Sequence, residues 1–135
     1  MLHTIDPERI VLELTDHQPV HDYESLNAAL SPLRAAGLRL AIDDVGTGYA
    51  DLQHLVRLRP DVMKFDIALT SRVLDCGTSR TMMEGLVTST HKIGGRVVAE
   101  WIETAEQYHA LHALAVDAGQ GYFLGRPIDA GSAKA

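Results

Sequence analysis

One cysteine in 135 residues, Cys76, excludes an internal disulfide and suits a reducing cytosol. Basic residues are also scarce. Only 12 Lys and Arg stand against 18 Asp and Glu, a formal net charge of −6, and no basic patch forms along the chain. Tracking a nucleic-acid backbone needs clustered positive charge, so neither DNA nor RNA is expected as a partner. No apolar run approaches a membrane-spanning length. Residues 1–10 carry Asp6, Glu8 and Arg9 among their apolar neighbours, which is unlike a signal peptide, and a cytoplasmic location is expected. The seven histidines form no His-Glu-x-x-His, which disfavours zinc chemistry, and there is no Gly-x-Ser-x-Gly for acyl transfer. No tract is compositionally biased or repetitive and no long linker is evident, so the length fits one ordinary domain with a core of its own.

What is present centres on residues 38–49. A short apolar run, Leu38 to Ile42, follows Gly37 and reads as a buried parallel strand. Asp43 and Asp44 then sit where that strand ends, and Gly46 and Gly48 allow a sharp turn or a close approach to a ligand. Adjacent carboxylates repel each other, so such a pair favours a place where a cation can bind both. The plainer alternative is that Asp44 caps the next helix and Asp43 is solvated.

The rest of the chain alternates in the same way. Residues 9–15 read as a strand with Glu13 among apolar neighbours, where a buried carboxylate needs a partner or a metal, and Asp16 stands at the exit. Residues 23–36 carry Leu26, Leu30 and Leu33 at helical spacing, with Pro32 expected to kink or restart the helix. A short helix around Leu52, Leu55 and Val56 ends near Pro60. Strand 62–66 follows, with Lys64 in its middle, a position that is costly unless it faces acids. A helix from about Arg80 carries Met83, Leu86, Val87 and Thr90 on one face, its methionines read as core, and stops at Gly94-Gly95. Strand 96–100 again ends in an acid, Glu100. Thr104 to Gln107 has a capping-box pattern, and residues 117–124 form the last strand. Five strands alternating with four helices imply an α/β fold with a parallel sheet and right-handed crossovers. In such a sheet the carboxyl ends face one side, which gathers Glu13, Asp43, Asp44, Lys64, Glu100 and Gln120 into one site.

These residues carry a resemblance. Glu13-Leu14-Thr15, residues 43–49 (DDVGTGY), Lys64-Phe65-Asp66, residues 99–104 (AEWIET) and Gln120-Gly121-Tyr122 resemble, in order, the EAL domain of bacterial cyclic-di-GMP phosphodiesterases. The resemblance implies a partial TIM-type barrel, with residues 1–135 as its last five strands and the N-terminal part of the domain absent. It implies that Glu13, Asp43 and Glu100 bind metal, with Asp44 serving a second ion. Two divalent cations, magnesium or manganese, are the expected cofactors, and cyclic-di-GMP the expected ligand. Lys64 and Gln120 would join Glu100 in catalysis, and Asp66 and Glu103 would bind substrate. Asp16, in place of the usual glutamate, would brace the loop of Gly46, Thr47 and Gly48. The chain departs from the pattern at Val45, where phenylalanine is usual, and at Trp101, where glycine is usual. The Glu-Ala-Leu motif, an asparagine ligand and an arginine of the first half are missing. The resemblance therefore leaves two functions open: part of a metal-dependent phosphodiesterase, or a non-catalytic module that binds a nucleotide or another protein. The expected partner is the missing half or a second copy of the chain.

Overall fold

The computed structural model describes residues 5–15, 20–46, 51–75 and 77–125. The expectations for Asp16, Thr47, Gly48, Tyr49 and Cys76 lie outside these residues. Five strands form one parallel sheet in sequential order: β1 (Val11–Thr15), β2 (Arg39–Val45), β3 (Val62–Phe65), β4 (Arg96–Ala99) and β5 (Ala118–Gly119). Sequential order means every crossover runs the same way, so the helices share one face, as in a segment of a barrel wall. A short 3-10 turn, Pro7–Arg9, leads into β1.

The helices follow local chemistry. In α1 (Tyr23–Ala35), Asp22 caps the start by accepting from the Ser25 N–H at 3.0 Å. The helix does not restart at Pro32, and α1 runs through it as one helix. Its end is a Schellman turn: Leu38 N–H bonds Leu33 O, Gly37 N–H bonds Arg34 O, and Gly37 takes φ +111°. Next come α2 (Asp51–Leu58) and a four-residue α3 (Ile67–Thr70), the latter too short to leave a periodic signature in the sequence. Helix α4 (Gly77–Lys92) begins three residues before the expected Arg80. Its predicted face of Met83, Leu86, Val87 and Thr90 is buried, but Met82, on another face, is exposed. Thr104 and Gln107 close the predicted capping box at the start of α5 (Ala105–Ala113).

Alternate strand residues supply the core. Leu40, Ile42, Met63, Phe65, Val97 and Ala99 pack under Leu30, Leu55, Leu58, Met83, Leu86, Val87 and Leu111 of the helices. The expectation that β1 is buried is corrected. Val11 and Glu13 are exposed, and Leu12 and Leu14 only half-buried, because β1 is an edge strand with a neighbour on one side only. The opposite sheet face holds Ala41, Val62 and Val98. Charged residues stand in register with them, Glu13 beside Ala41 and Lys64 beside Val98, so that face is not uniformly apolar.

Candidate active site at the carboxyl ends of the strands

Asp43 and Asp44 do not follow β2, as the sequence suggested, but lie inside it. Ile42 pairs with Met63 and Val45 with Phe65, so two acids on β2 face one residue, Lys64, on β3. This is a bulge. Asp44 absorbs the extra residue by taking φ +55°, a left-handed conformation that Asp tolerates better than most side chains, and its N–H bonds Asp43 Oδ1 at 2.9 Å. Gly46, at φ +111°, faces the Leu69 side chain, and a Cβ there would approach it to 2.4 Å.

Lys64 meets the acids its position calls for. Its Nζ donates to Glu13 Oε1 across β2, and the fully buried Ala41 leaves room between them. That hydrogen bond holds the ammonium above its ordinary pKa. Burial opposes it, and the charges of Glu13, Asp43 and Glu100 add to it. The sequence reading of Glu13 as a buried acid is thus half right: a partner exists, but the side chain is 42% exposed.

Glu100 stands at the end of β4, its N–H bonded to Phe65 O at 2.9 Å. Its carboxyl is pushed up to about 7. Burial is the largest cause, a hydrogen bond and charge repulsion from Asp43 and repulsion from Asp44 add to it, and Lys64 pulls the other way. Glu100 Oε1 is buried without a hydrogen-bond partner. A buried carboxylate oxygen facing two further acids is an all-oxygen set that a hard divalent cation would fit, satisfying the orphaned oxygen and offsetting the repulsion. Among the described residues, however, no three His, Cys, Asp or Glu side chains are gathered closely enough to hold an ion by themselves. A full shell would need ligands from elsewhere.

Gln120 follows β5 and is exposed. Its N–H bonds Ala99 O and its carbonyl accepts from Ile102 N–H, both at 2.9 Å. Gly121, at φ +148°, passes so close to Ile102 that a Cβ would lie 2.2 Å from its backbone. Trp101 also takes a left-handed φ, +65°, which is the conformation glycine would adopt without strain. Glu100, Trp101, Glu103, Gln120, Gly121 and Tyr122 line a cavity of about 210 Å³ beside the acids. Asp66 stands before α3 but makes no side-chain cap, and Glu103 is exposed, its N–H bonded to Gln107 Oε1. The structure thus brings together Glu13 with Lys64, and Asp43 with Glu100, while Gln120 and Glu103 share the cavity wall with Glu100. Asp66 makes no such side-chain contact.

Sequence reasoning missed two carboxylates at the other end of the sheet. Asp61 accepts from Leu40 N–H at 2.8 Å and meets Arg34, while Asp117 accepts from Val97 N–H at 2.8 Å and meets His91. The available signal was an acid immediately before each of β3 and β5.

The chain and its fold have counterparts among known proteins. The EAL domain family matches residues 1–127. The probable cyclic di-GMP phosphodiesterase PdeA of Escherichia coli K12 is 38% identical over 124 residues, which are 91% of this chain and 17% of PdeA. The chain thus spans a small part of that relative's length. Among solved structures, the PaMucR phosphodiesterase in complex with c-di-GMP superposes with a TM-score of 0.80 at 30% identity, covering 96% of this chain and 53% of that one. The manganese and cyclic-di-GMP complex of Klebsiella pneumoniae BlrP1 gives 0.78 at 31% identity, covering 90% and 31% respectively. A parallel (β/α) sheet in sequential order, with acids gathered at its carboxyl ends, is a segment of a TIM-type barrel, and the chain belongs to the EAL domain family.

Proposed function

We propose that the chain is the C-terminal part of a metal-dependent cyclic-di-GMP phosphodiesterase that opens the cyclic dinucleotide to linear pGpG in bacterial signalling. The observation that carries this reading is Glu100: an acid raised to about 7 by its surroundings and by Asp43 and Asp44, with one oxygen buried and unpartnered. Glu13, Asp43, Asp44 and Glu100 would hold two divalent cations, magnesium or manganese. Those cations would lower the pKa of a water and neutralise phosphate charge. In the reaction, water oxygen joins phosphorus, the bond to the 3′ oxygen breaks, and that oxygen leaves as a hydroxyl. Lys64, oriented by Glu13, would offset phosphate charge and hold the attacking water, and the Gln120 amide would orient the same water. Asp66 and Glu103 are assigned to substrate, and Asp16, Gly46, Thr47 and Gly48 to the loop after β2.

Two sheet edges, β1 and β5, have a neighbour on one side only. The natural partner is the other half of a barrel or, failing that, a second copy of the chain. Cation binding by the chain alone is expected to be weak. Calorimetric titration with manganese should detect it, and Asp43→Asn should reduce it; equal binding by both would remove the metal role. Turnover by the chain alone should be negligible, because a misplacement of about 1 Å can cost on the order of a hundredfold in rate. Adding the N-terminal half should restore the linear dinucleotide, detected by chromatography. Glu100→Gln should then abolish it, and Lys64→Ala should lower it on the order of a hundredfold. No turnover in a folded, complemented barrel would favour a second reading, binding without hydrolysis. Trp101 at the site's edge is the observation that recommends it.

A further inference from the structure

Trp101 is the chain's sole tryptophan, and it is spent on neither the core nor a helix face. Its side chain stands 51% exposed on the wall of the 210 Å³ cavity that also borders Glu100. The backbone beneath it is left-handed, φ +65°, an outlier for a bulky residue. Strain of this kind persists where the position of a side chain matters, and here it sets an indole beside the acids rather than under a helix. Gly121 lines the same cavity, its backbone fitted so tightly against Ile102 that no side chain could be added. Tyr122, 57% exposed, borders the same space. The cavity is therefore open, flanked by aromatic rings, and adjacent to the groups assigned to the phosphate chemistry.

We propose that Trp101 is a specificity residue that stacks on a purine base of the substrate, so that this chain grips the dinucleotide by a base as well as by its phosphates. The proposal rests on the phosphodiesterase-family reading above. Stacking on an aromatic face is insensitive to which purine is bound but stronger for a purine than for a pyrimidine, because the overlapping area is larger. A tryptophan that crowded the site would be packed against Glu100; one that is half exposed along an open wall leaves room for a ring.

The single tryptophan makes the test direct. The full chain is titrated with cyclic-di-GMP in the presence of manganese, following tryptophan emission and, separately, heat. Trp101→Gly serves as the variant because glycine adopts φ +65° freely, so loss of folding does not obscure the result. The expected outcome is saturable quenching of emission that tracks the calorimetric isotherm, binding weakened about tenfold in Trp101→Gly, and binding within about threefold of wild type in Trp101→Phe. A pyrimidine cyclic dinucleotide should lose less affinity in Trp101→Gly than cyclic-di-GMP does. Calorimetric binding with unchanged emission, or equal affinity in Trp101→Gly, would overturn the stacking role and leave the family reading standing. No binding by either readout, by the chain alone or with the N-terminal half added, would overturn both.

Discussion

Residues 33–66 and 90–123 are built alike from end to end, and their differences fall almost entirely at one end. Each begins at a helix closed by the same turn: Leu38 N–H to Leu33 O and Gly37 N–H to Arg34 O in the first, Gly95 N–H to Thr90 O and Gly94 N–H to His91 O in the second. Each then has a strand whose second residue, Leu40 or Val97, is clasped by an aspartate just ahead of the next strand. Asp61 and Asp117 accept the N–H and return their own N–H to the carbonyl. A side chain from the preceding helix, Arg34 or His91, meets that aspartate. At the far end, two residues face one: Asp43 and Asp44 against Lys64, Glu100 and Trp101 against Gln120, with the second of each pair left-handed. The lower ends hold strands in register and are interchangeable in design. At the upper ends the first unit carries two acids and an ammonium, the second one acid, an indole and an amide. The frame is repeated, whereas the chemistry is divided between its copies.

Breaking the lower clasps should produce the largest effect. Leu40 and Val97 are fully buried, so deleting either aspartate leaves a buried N–H without its acceptor, at a cost of about 2 kcal/mol. Each variant also loses a side-chain partner, Arg34 at 3.3 Å for Asp61 and His91 at 2.7 Å for Asp117; Arg34 stays tied to Leu58 O and Arg59 O at 2.7 and 2.8 Å, so Asp117→Ala should cost at least as much as Asp61→Ala. Urea denaturation of the two variants measures this. If both stay within about 0.5 kcal/mol of wild type, the clasps are ornament and the likeness of the two units has no energetic meaning.

A smaller effect separates the units by pH. Glu100 has its folded pKa raised, by burial first and by Asp43 and Asp44 after it, so the folded chain binds this proton more tightly than the unfolded chain does. Stability from this group is therefore greatest in mild acid. It is lost as pH rises from the unfolded value, 4.5, to the folded value of about 7. Asp117 behaves oppositely. Burial would raise it, but the Val97 N–H, His91 and Arg96 together hold it below 3.8, so its contribution is present above that pH and lost as pH falls through the lowered value. Melting temperature against pH should thus decline between about 4.5 and 7 in wild type, and Glu100→Gln should flatten that arm while leaving the acid arm intact. Manganese should also flatten it, since a cation removes the advantage of protonation. An unchanged decline in Glu100→Gln would place its origin elsewhere.

The upper end was the more legible part of the sequence, and the reason is physical. An acid closing an apolar run, as Asp43 and Glu100 do, is visible without knowing which strands pair. The mid-strand Lys64 likewise announces that it must face acids. The bulge is not visible, because two residues against one is a property of a pair of strands. For the same reason the apolar run points to a strand end at Ile42, whereas β2 continues through Asp43 and Asp44. Burial of β1 was misread because hydrophobicity does not reveal that a strand lies at a sheet edge. Helix α1 passing through Pro32 shows tertiary packing outweighing a local preference, and α3 is a single turn with no period to detect. The repetition of the two units is not visible in the sequence because their matched positions share roles rather than residue types: Arg34 with His91, Lys64 with Gln120, Asp44 with Trp101. Only the backbone shows that these are equivalent places.

The two left-handed residues provide the finest test of that equivalence. A side chain at φ near +60° costs roughly 1–2 kcal/mol relative to glycine, less for Asp, which can hydrogen-bond locally in this conformation. Replacement by glycine also loosens the unfolded chain, which takes back about 0.4–1 kcal/mol. Trp101→Gly should therefore be stabilising by about 0.5 kcal/mol, since the half-exposed indole contributes little core packing. Asp44→Gly should be closer to neutral in backbone terms. It also removes one of the charges that raise Glu100, so its benefit should grow above pH 7 and fade in mild acid, whereas that of Trp101→Gly should not depend on pH. Denaturation of both variants at pH 5 and pH 8 distinguishes them. If Trp101→Gly is instead destabilising at both pH values, the indole is holding the fold together, and its position on the cavity wall is a matter of packing rather than recognition.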